Sequence, residues 1–321
     1  MKKTSLFFLF LVNLTAIIIN PFPYVSSSLN LTVKTDKPSY NIGEYVCVYG
    51  NLTLNNTTVQ DGLIALEVND PYRTLVVRTL TTNTTPTADW LVNVTDVTPC
   101  DEYGNPKESF QKETLAYFNV TVSNNDIEMR WVLVTANIYD ESQAPLGVAG
   151  FQGVVKENST FSVIMGVPIP ETAETGNATV YANAYSEWPR IGGKPYCPEQ
   201  SETFEITNGS TQTSSPPIKE QEIEGNYNTT LKLSFGEPLG TYTIHVTSIY
   251  QGQTATNSTQ FEVNIQGDAN GDGSVDGSDF FIFLQAWGTS PPSDPRADFT
   301  GDGTVDGSDF FILLQNWGYG A

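Results

Sequence analysis

Near its C-terminus the chain places oxygen donors at a spacing that chemistry can use, and it does so twice. The first stretch runs Asp268-Ala269-Asn270-Gly271-Asp272-Gly273-Ser274-Val275-Asp276-Gly277-Ser278-Asp279. The second, thirty residues later, runs Asp298-Phe299-Thr300-Gly301-Asp302-Gly303-Thr304-Val305-Asp306-Gly307-Ser308-Asp309. A twelve-residue loop with oxygens at positions 1, 3, 5, 7, 9 and 12 can replace the water shell of calcium, which takes about six to eight oxygens. In the first loop these positions fall on Asp268, Asn270, Asp272, the Ser274 carbonyl, Asp276 and Asp279. In the second they fall on Asp298, Thr300, Asp302, the Thr304 carbonyl, Asp306 and Asp309. Gly273 and Gly303 occupy position 6, where the chain must turn sharply. The pattern predicts two calcium ions, with the first site tighter because Asn270 offers an amide oxygen where Thr300 offers a hydroxyl.

Each loop runs into an apolar segment, FFIFLQAWG and FFILLQNWG, ended by Gly288 and Gly318. At 100° per residue, Phe280, Phe283, Leu284 and Trp287 share one helix face, as do Phe310, Leu313, Leu314 and Trp317. These two stripes are expected to pack together. Phe281 and Gln285, with Phe311 and Gln315, point elsewhere and are candidates for a partner. What precedes the loops excludes an ordinary two-helix calcium hand. FEVNIQG reads as a strand end, and the prolines of GTSPPSDPRA forbid a regular entering helix.

A duplicated loop and exit helix without entering helices resembles the type I dockerin domain, over residues 266–319. The resemblance implies attachment to a cohesin-like module. It also implies that loop positions 10 and 11 contact that partner; here these are Gly277-Ser278 and Gly307-Ser308. Identical pairs in both copies imply binding in either of two orientations. Where family members often carry a Lys-Arg pair, this chain has Leu284-Gln285 and Leu314-Gln315, a departure that bears on which cohesin it fits.

The rest of the chain restricts the function further. A net charge of −21 over 321 residues argues against nucleic acid as a partner. From Asn264 onward there are nine Asp, no Glu and one basic residue, Arg296, so the tail would repel itself without cations. Lys2-Lys3, an apolar run from Leu6 to Ile19 and PFPYVSSS predict a signal peptide over 1–27 and an extracellular or cell-surface location, with no stable membrane span after its removal. Twelve Asn-x-Ser/Thr sequons follow this leader, none in the calcium-loop region, and suggest a glycoprotein. Three cysteines, Cys47, Cys100 and Cys197, suit an oxidising exterior, with Cys47–Cys100 the preferred pair and Cys100–Cys197 the alternative.

Between leader and loops, short β-branched and aromatic runs alternate with Gly, Pro, Asn and Asp turns. The expected fold class is mainly β: tandem immunoglobulin-like antiparallel β-sandwiches followed by a small all-α calcium domain. The expected units are a sandwich over 28–106, opening with the macroglobulin-like DKPSYNIGEYV, and a second over 107–207. A linker follows over 208–217, then a short β module over 218–265 and the dockerin-like domain over 266–321. A faint echo of 158–206 in 228–263 suggests that the short module is a truncated repeat leaning on the second sandwich. No nucleophile motif accompanies the single histidine, His245, and Glu128, Asp140, Glu141, Glu171 and Glu187 read as solvated turn residues, so no catalysis is expected. Two alternatives to a binding and assembly role remain. One is a carbohydrate-binding accessory protein using Tyr185, Trp188 and Tyr196 on a polysaccharide. The other is an S-layer-like structural or adhesion protein.

Overall fold

The computed structural model describes residues 28–84, 86, 90–208 and 225–320. The expected leader over 1–27 lies outside the described residues, as do 209–224, which hold all but the first residue of the expected linker.

Eight strands come first: β1 (Leu29–Leu31), β2 (Lys34–Thr35), β3 (Ser39–Asn41), β4 (Tyr45–Gly50), β5 (Leu52–Leu54), β6 (Thr57–Thr58), β7 (Leu63–Asn69) and β8 (Thr74–Thr81). Eight more follow: β9 (Val92–Cys100), β10 (Ser109–Gln111), β11 (Leu115–Asn124), β12 (Arg130–Tyr139), β13 (Pro145–Val155), β14 (Ser159–Pro168), β15 (Gly176–Tyr185) and β16 (Gln200–Thr207). The last three are β17 (Tyr227–Lys232), β18 (Gly240–Tyr250) and β19 (Gln253–Asn264), before helices α1 (Gly277–Ala286) and α2 (Gly307–Gln315). The protein is mainly β with a small helical module at its C-terminal end.

The strands build two sandwiches of one topology. In the first, sheet β17-β4-β2 faces sheet β3-β19-β18-β7-β8; in the second, β14-β11-β9 faces β10-β16-β15-β12-β13. Each strand of these sheets has its counterpart in the other sandwich, down to the parallel pairs β19–β3 and β16–β10 within otherwise antiparallel sheets. The small sheet β1-β5-β6, which adds Leu31 and Leu52 to the first core, has none. The matching extends to single bonds. Gly43 N–H donates to the Leu233 carbonyl at 2.7 Å, and Glu113 N–H to the Ile169 carbonyl at 2.8 Å. Gly43 and Glu113 both have positive φ. Asp70 and Asp140 each cap a hairpin, taking N–H groups from the two to four residues that follow.

The sandwiches are nested rather than end to end, which corrects two of the expected units. β9 lies within 28–106 yet pairs along β11 from Tyr117↔Cys100 to Asn124↔Val92, so the second sandwich begins near residue 92. β17 to β19 are no separate module: β17 pairs with β4 and β18 with β7, completing the first sandwich. Three strands alone could not cover both faces of a core, and 28–81 lacks the strands that close its own. The echo between 158–206 and 228–263 reflects equivalent strands of the two sandwiches.

Burial patterns show where they meet. Most strands alternate, as in β11, where Ala116, Phe118, Val120 and Val122 are buried. β7, β8 and β12 are buried almost continuously. Both faces of these strands are covered, because the first sandwich lies against the second. Ala65, Val77, Leu133 and Tyr185 form the apolar contact. Around it, Arg78 pairs with Glu199 at 2.6 Å and lies 3.3 Å from the Tyr181 ring centre, and Arg190 bonds Glu67.

All three cysteines are buried and free. Neither expected pairing forms. Cys47 is on β4 of the first sandwich and Cys100 on β9 of the second, while Cys197 accepts the Val94 N–H at 3.3 Å. Burial pushes the Cys197 thiol up to about 11.

Candidate metal centre

The two loops fold on their own carboxylates. In loop 1 Asp268 takes the N–H groups of Gly271 and Gly273, at 2.7 and 2.8 Å on its two oxygens. Asp272 takes Ser274 N–H at 2.9 Å and Asp276 takes Ser278 N–H at 2.7 Å. Asp279, fully buried, reaches back to Ala269, Asn270 and Asp276 N–H at 2.8, 3.1 and 2.9 Å. Loop 2 repeats the design: Asp298 takes Gly301 and Gly303, and the buried Asp309 takes Thr300 and Asp306. The bonds between Asp276 and Asp279, and between Asp306 and Asp309, also close a capping box at the start of each helix. The hydroxyl and N–H of Ser308 hold the Asp306 carboxyl below the usual carboxylate range, which keeps this oxygen donor ionised as pH falls.

Among the described residues, no three Asp, Glu, His or Cys side chains are gathered as a cation cage. The carboxylates turn instead to the loop amides. The donor set nevertheless fits a hard cation: each loop offers four carboxylates, one further side-chain oxygen and a backbone carbonyl, and no nitrogen or sulfur ligand. Positions 1 and 12 are already drawn onto adjacent peptide groups. Asp268, Asn270, Asp272, Ser274, Asp276 and Asp279 would hold one ion, and Asp298, Thr300, Asp302, Thr304, Asp306 and Asp309 the other. Calorimetric titration is expected to resolve two affinities, and Thr300→Asn to tighten the weaker by about fivefold, on the order of one hydrogen bond. Equal sites, or a weaker first site, would contradict the assignment.

A local two-fold arrangement locks the loops together. Val275 N–H donates to the Tyr319 carbonyl at 2.9 Å and Gly318 N–H to the Val275 carbonyl at 2.8 Å. In the other half, Val305 N–H donates to Thr289 and Gly288 N–H to Val305, at 3.1 and 2.8 Å. Val275 and Val305 are fully buried, so each loop is pinned to the core at position 8. Phe283 stacks on Phe310 at 5.6 Å, and Trp317 and Trp287 meet Phe280 and Phe310 edge-on. Gly288 and Gly318 end the helices with positive φ. Entry to the loops matches the sequence: β19 leads into loop 1, and only the short turn Pro295–Ala297 leads into loop 2.

One expected stripe is narrower than its periodicity. Phe283, Ala286 and Leu313 are buried, but Leu284 and Leu314 are 50% and 51% exposed. Two short helices cover a single strip of core, which the buried loop valines complete, and Trp287 and Trp317 of the expected stripes are also half-exposed. The leucines therefore join Phe281 and Phe311, at 63% and 60%, on the outer face with exposed Gly277, Ser278 and Gln285, and their counterparts Gly307, Ser308 and Gln315. Sequence alone also missed Tyr319; the differing endings WGTS and WGYG were the available signal.

Residues 266–316 match the family described as the Dockerin type I domain. The C-terminal module belongs to the type I dockerin family. Dockerin domains bind calcium and attach to cohesin modules, and proteins bearing them are typically extracellular or at the cell surface. No curated protein matches this chain. Among solved structures, an alkylpurine DNA glycosylase of Pseudomonas fluorescens bound to abasic-site DNA is 12% identical at TM-score 0.28, covering 37% of this chain and 31% of its own. The C-terminal domain of Wzt is 10% identical at TM-score 0.32, covering 45% and 81%. An α2-macroglobulin of Salmonella is 11% identical at TM-score 0.24, covering 73% and 23%. These likenesses carry no argument about function. Beyond the dockerin module, no helix among the described residues is long and apolar enough to cross a membrane.

The other sequence candidates lie elsewhere. Tyr185 is fully buried and accepts from the Thr79 hydroxyl, Trp188 covers Gly150 beneath Arg190, and the Tyr196 hydroxyl donates to the Trp131 carbonyl. They do not form an open platform. Asp140, expected to be solvated, is 1% exposed and accepts from Ser142, Ala144 and Glu174. It is a hairpin cap.

Proposed function

We propose that this is an exported, non-catalytic assembly protein, in which two calcium ions order the dockerin module and the module tethers the nested sandwiches to a cohesin-like partner. The observation that carries the reading is the near-equal exposure of Phe281 and Phe311, and of Leu284 and Leu314, in both halves of a module whose loop donors suit calcium. Two equivalent faces fit one partner in either of two orientations. Leu284-Gln285 and Leu314-Gln315, in place of basic pairs, suit an apolar partner surface rather than an acidic one. The cargo would serve an extracellular polysaccharide-degrading assembly or the cell surface.

Glycosylation belongs to the same reading, and the fold sorts the sequons. At Asn30, Asn93, Asn119 and Asn177 strand alternation by itself writes Asn-x-Thr around the buried Leu31, Val94, Val120 and Ala178. Asn56 and Asn158 lie exposed at turns with positive φ, 63° and 46°, and are the stronger acceptors.

Immobilised type I cohesin modules are expected to retain the full-length chain in calcium and release it in EDTA. Phe281→Ser or Phe311→Ser alone leaves one face and weakens retention mildly. The double variant is expected to lose about 30-fold in affinity, the scale of an aromatic hot spot. Full affinity in the double variant would refute the assigned face. Absence of any cohesin binding by a calcium-loaded module would favour the structural, S-layer-like role.

A further inference from the structure

The two calcium loops differ in what else they touch, and the difference reaches the body of the protein. Loop 1 follows β19 without a spacer: Ile265 is buried in the module core, and Asp268 is already position 1 of the loop. Leu239, in the turn between β17 and β18, packs against both the first sandwich core and the module core. The chain end joins the same two bodies. Ser274 Oγ donates to the Gly320 carbonyl at 3.2 Å, next to the Val275–Tyr319 backbone pair. The Tyr319 hydroxyl donates to the Glu237 carbonyl at 3.0 Å. Glu237 is itself anchored, its 7%-exposed carboxylate paired with Arg73 at 3.0 Å, and Arg73 is held by Asp70 at the β7–β8 turn.

Among the described residues, loop 2 has no hydrogen bond to the turn between β17 and β18. Its contacts stay inside the module: Val305 to Thr289 and Gly288, Thr304 Oγ1 to Ser290, and the Phe299 carbonyl to Gln266 Nε2 at 3.2 Å, ahead of loop 1.

We propose that residues 318–320 form a strap coupling the first calcium loop to the first sandwich. Cation binding at loop 1 then steadies the Glu237–Leu239 turn and fixes the module on the body, while loop 2 orders the module alone. The inference rests on the calcium reading of the loops. Coupling between sites is reciprocal, so the body in turn tightens loop 1. This adds to the advantage that Asn270 already gives it.

The test is hydrogen exchange on the full-length protein, with and without calcium, in wild type, Tyr319→Phe and Tyr319→Ala. Phe keeps the ring packing and removes only the hydroxyl. In wild type, calcium is expected to slow exchange in both loops and, by about tenfold, in the amides of 236–242. In the Tyr319 variants loop 2 keeps its response, the turn loses its own, and loop 1 affinity falls by about fivefold, the lower end of ordinary coupling. If both loops respond in wild type but 236–242 do not, the strap is refuted and the calcium assignment stands. If neither loop responds, the calcium assignment fails and takes the strap with it. A turn response that persists in Tyr319→Ala would assign the coupling to Leu239 packing and refute the strap.

Discussion

Chelation of calcium is expected to abolish cooperative unfolding of the dockerin module while the second sandwich, β9 to β16, keeps its transition. The module core rests on seven buried apolar residues, Ile265, Val275, Phe283, Ala286, Ala297, Val305 and Leu313, too few to offset the ordering of some fifty residues. Nine Asp against one Arg add repulsion that only cations relieve. Each site at calcium a hundred times its dissociation constant contributes about 2.7 kcal/mol, so two sites supply about 5 kcal/mol. That is comparable to the whole stability of a small domain. Asp279→Ala should reproduce most of the loss in saturating calcium, because it removes a donor, strands the buried N–H group of Ala269 and frees the part-buried ones of Asn270 and Asp276. Calorimetry with and without EDTA, repeated on Asp279→Ala, reads both effects. A module transition indifferent to chelator would contradict the metal assignment.

How far the sequence reached depended on how local each feature is. The loops, their exit helices and the missing entering helices were legible because cation spacing, capping and proline act within a few residues. The sandwich strands were legible for the same reason. Which strands belong together was not. Nothing local tells β17 to pair with β4, whose partner residues stand nearly two hundred positions earlier. The one hint was the echo between 158–206 and 228–263, which marked equivalent strands but not the sandwich they served. The continuous apolar runs of β7, β8 and β12 announced strands covered on both faces, without naming what covers them. Leu284 failed differently: helical periodicity says which residues share a face, but the width of the buried stripe depends on the neighbour.

Arg78→Ala is expected to cost about 3–5 kcal/mol and to split the unfolding of the two sandwiches. Ion pairs of this protein differ in weight by their burial. Lys37 and Arg130 are 49% and 37% exposed, so water screens them and each contributes little. Arg78 is 11% exposed and Glu199 19%, and the guanidinium also faces the rings of Tyr139 and Tyr181 at 5.3 and 3.3 Å from their centres. Both Arg78 Nε and Nη2 reach Glu199, at 2.8 and 2.6 Å, a bidentate pair carried by β8 of one sandwich and the segment before β16 of the other. Removing Arg78 alone leaves the Glu199 carboxylate without its cation in the interface. The large loss therefore measures an orphaned charge more than the value of the pair. The double variant Arg78→Met with Glu199→Met removes both charges, fills a similar volume, and should recover most of the stability. Urea denaturation followed by far-UV circular dichroism, which reads the strands of both sandwiches, distinguishes the outcomes. One sandwich transition in wild type, apart from that of the dockerin module, two in Arg78→Ala and one in the double variant would show that the sandwiches unfold as a unit because this contact holds them. An Arg78→Ala loss below about 1 kcal/mol, the scale of a screened surface pair, would show that the apolar contact around Val77 suffices, together with the Asn137 and Asn183 side chains that bond the Val77 N–H and carbonyl at 3.2 and 3.4 Å.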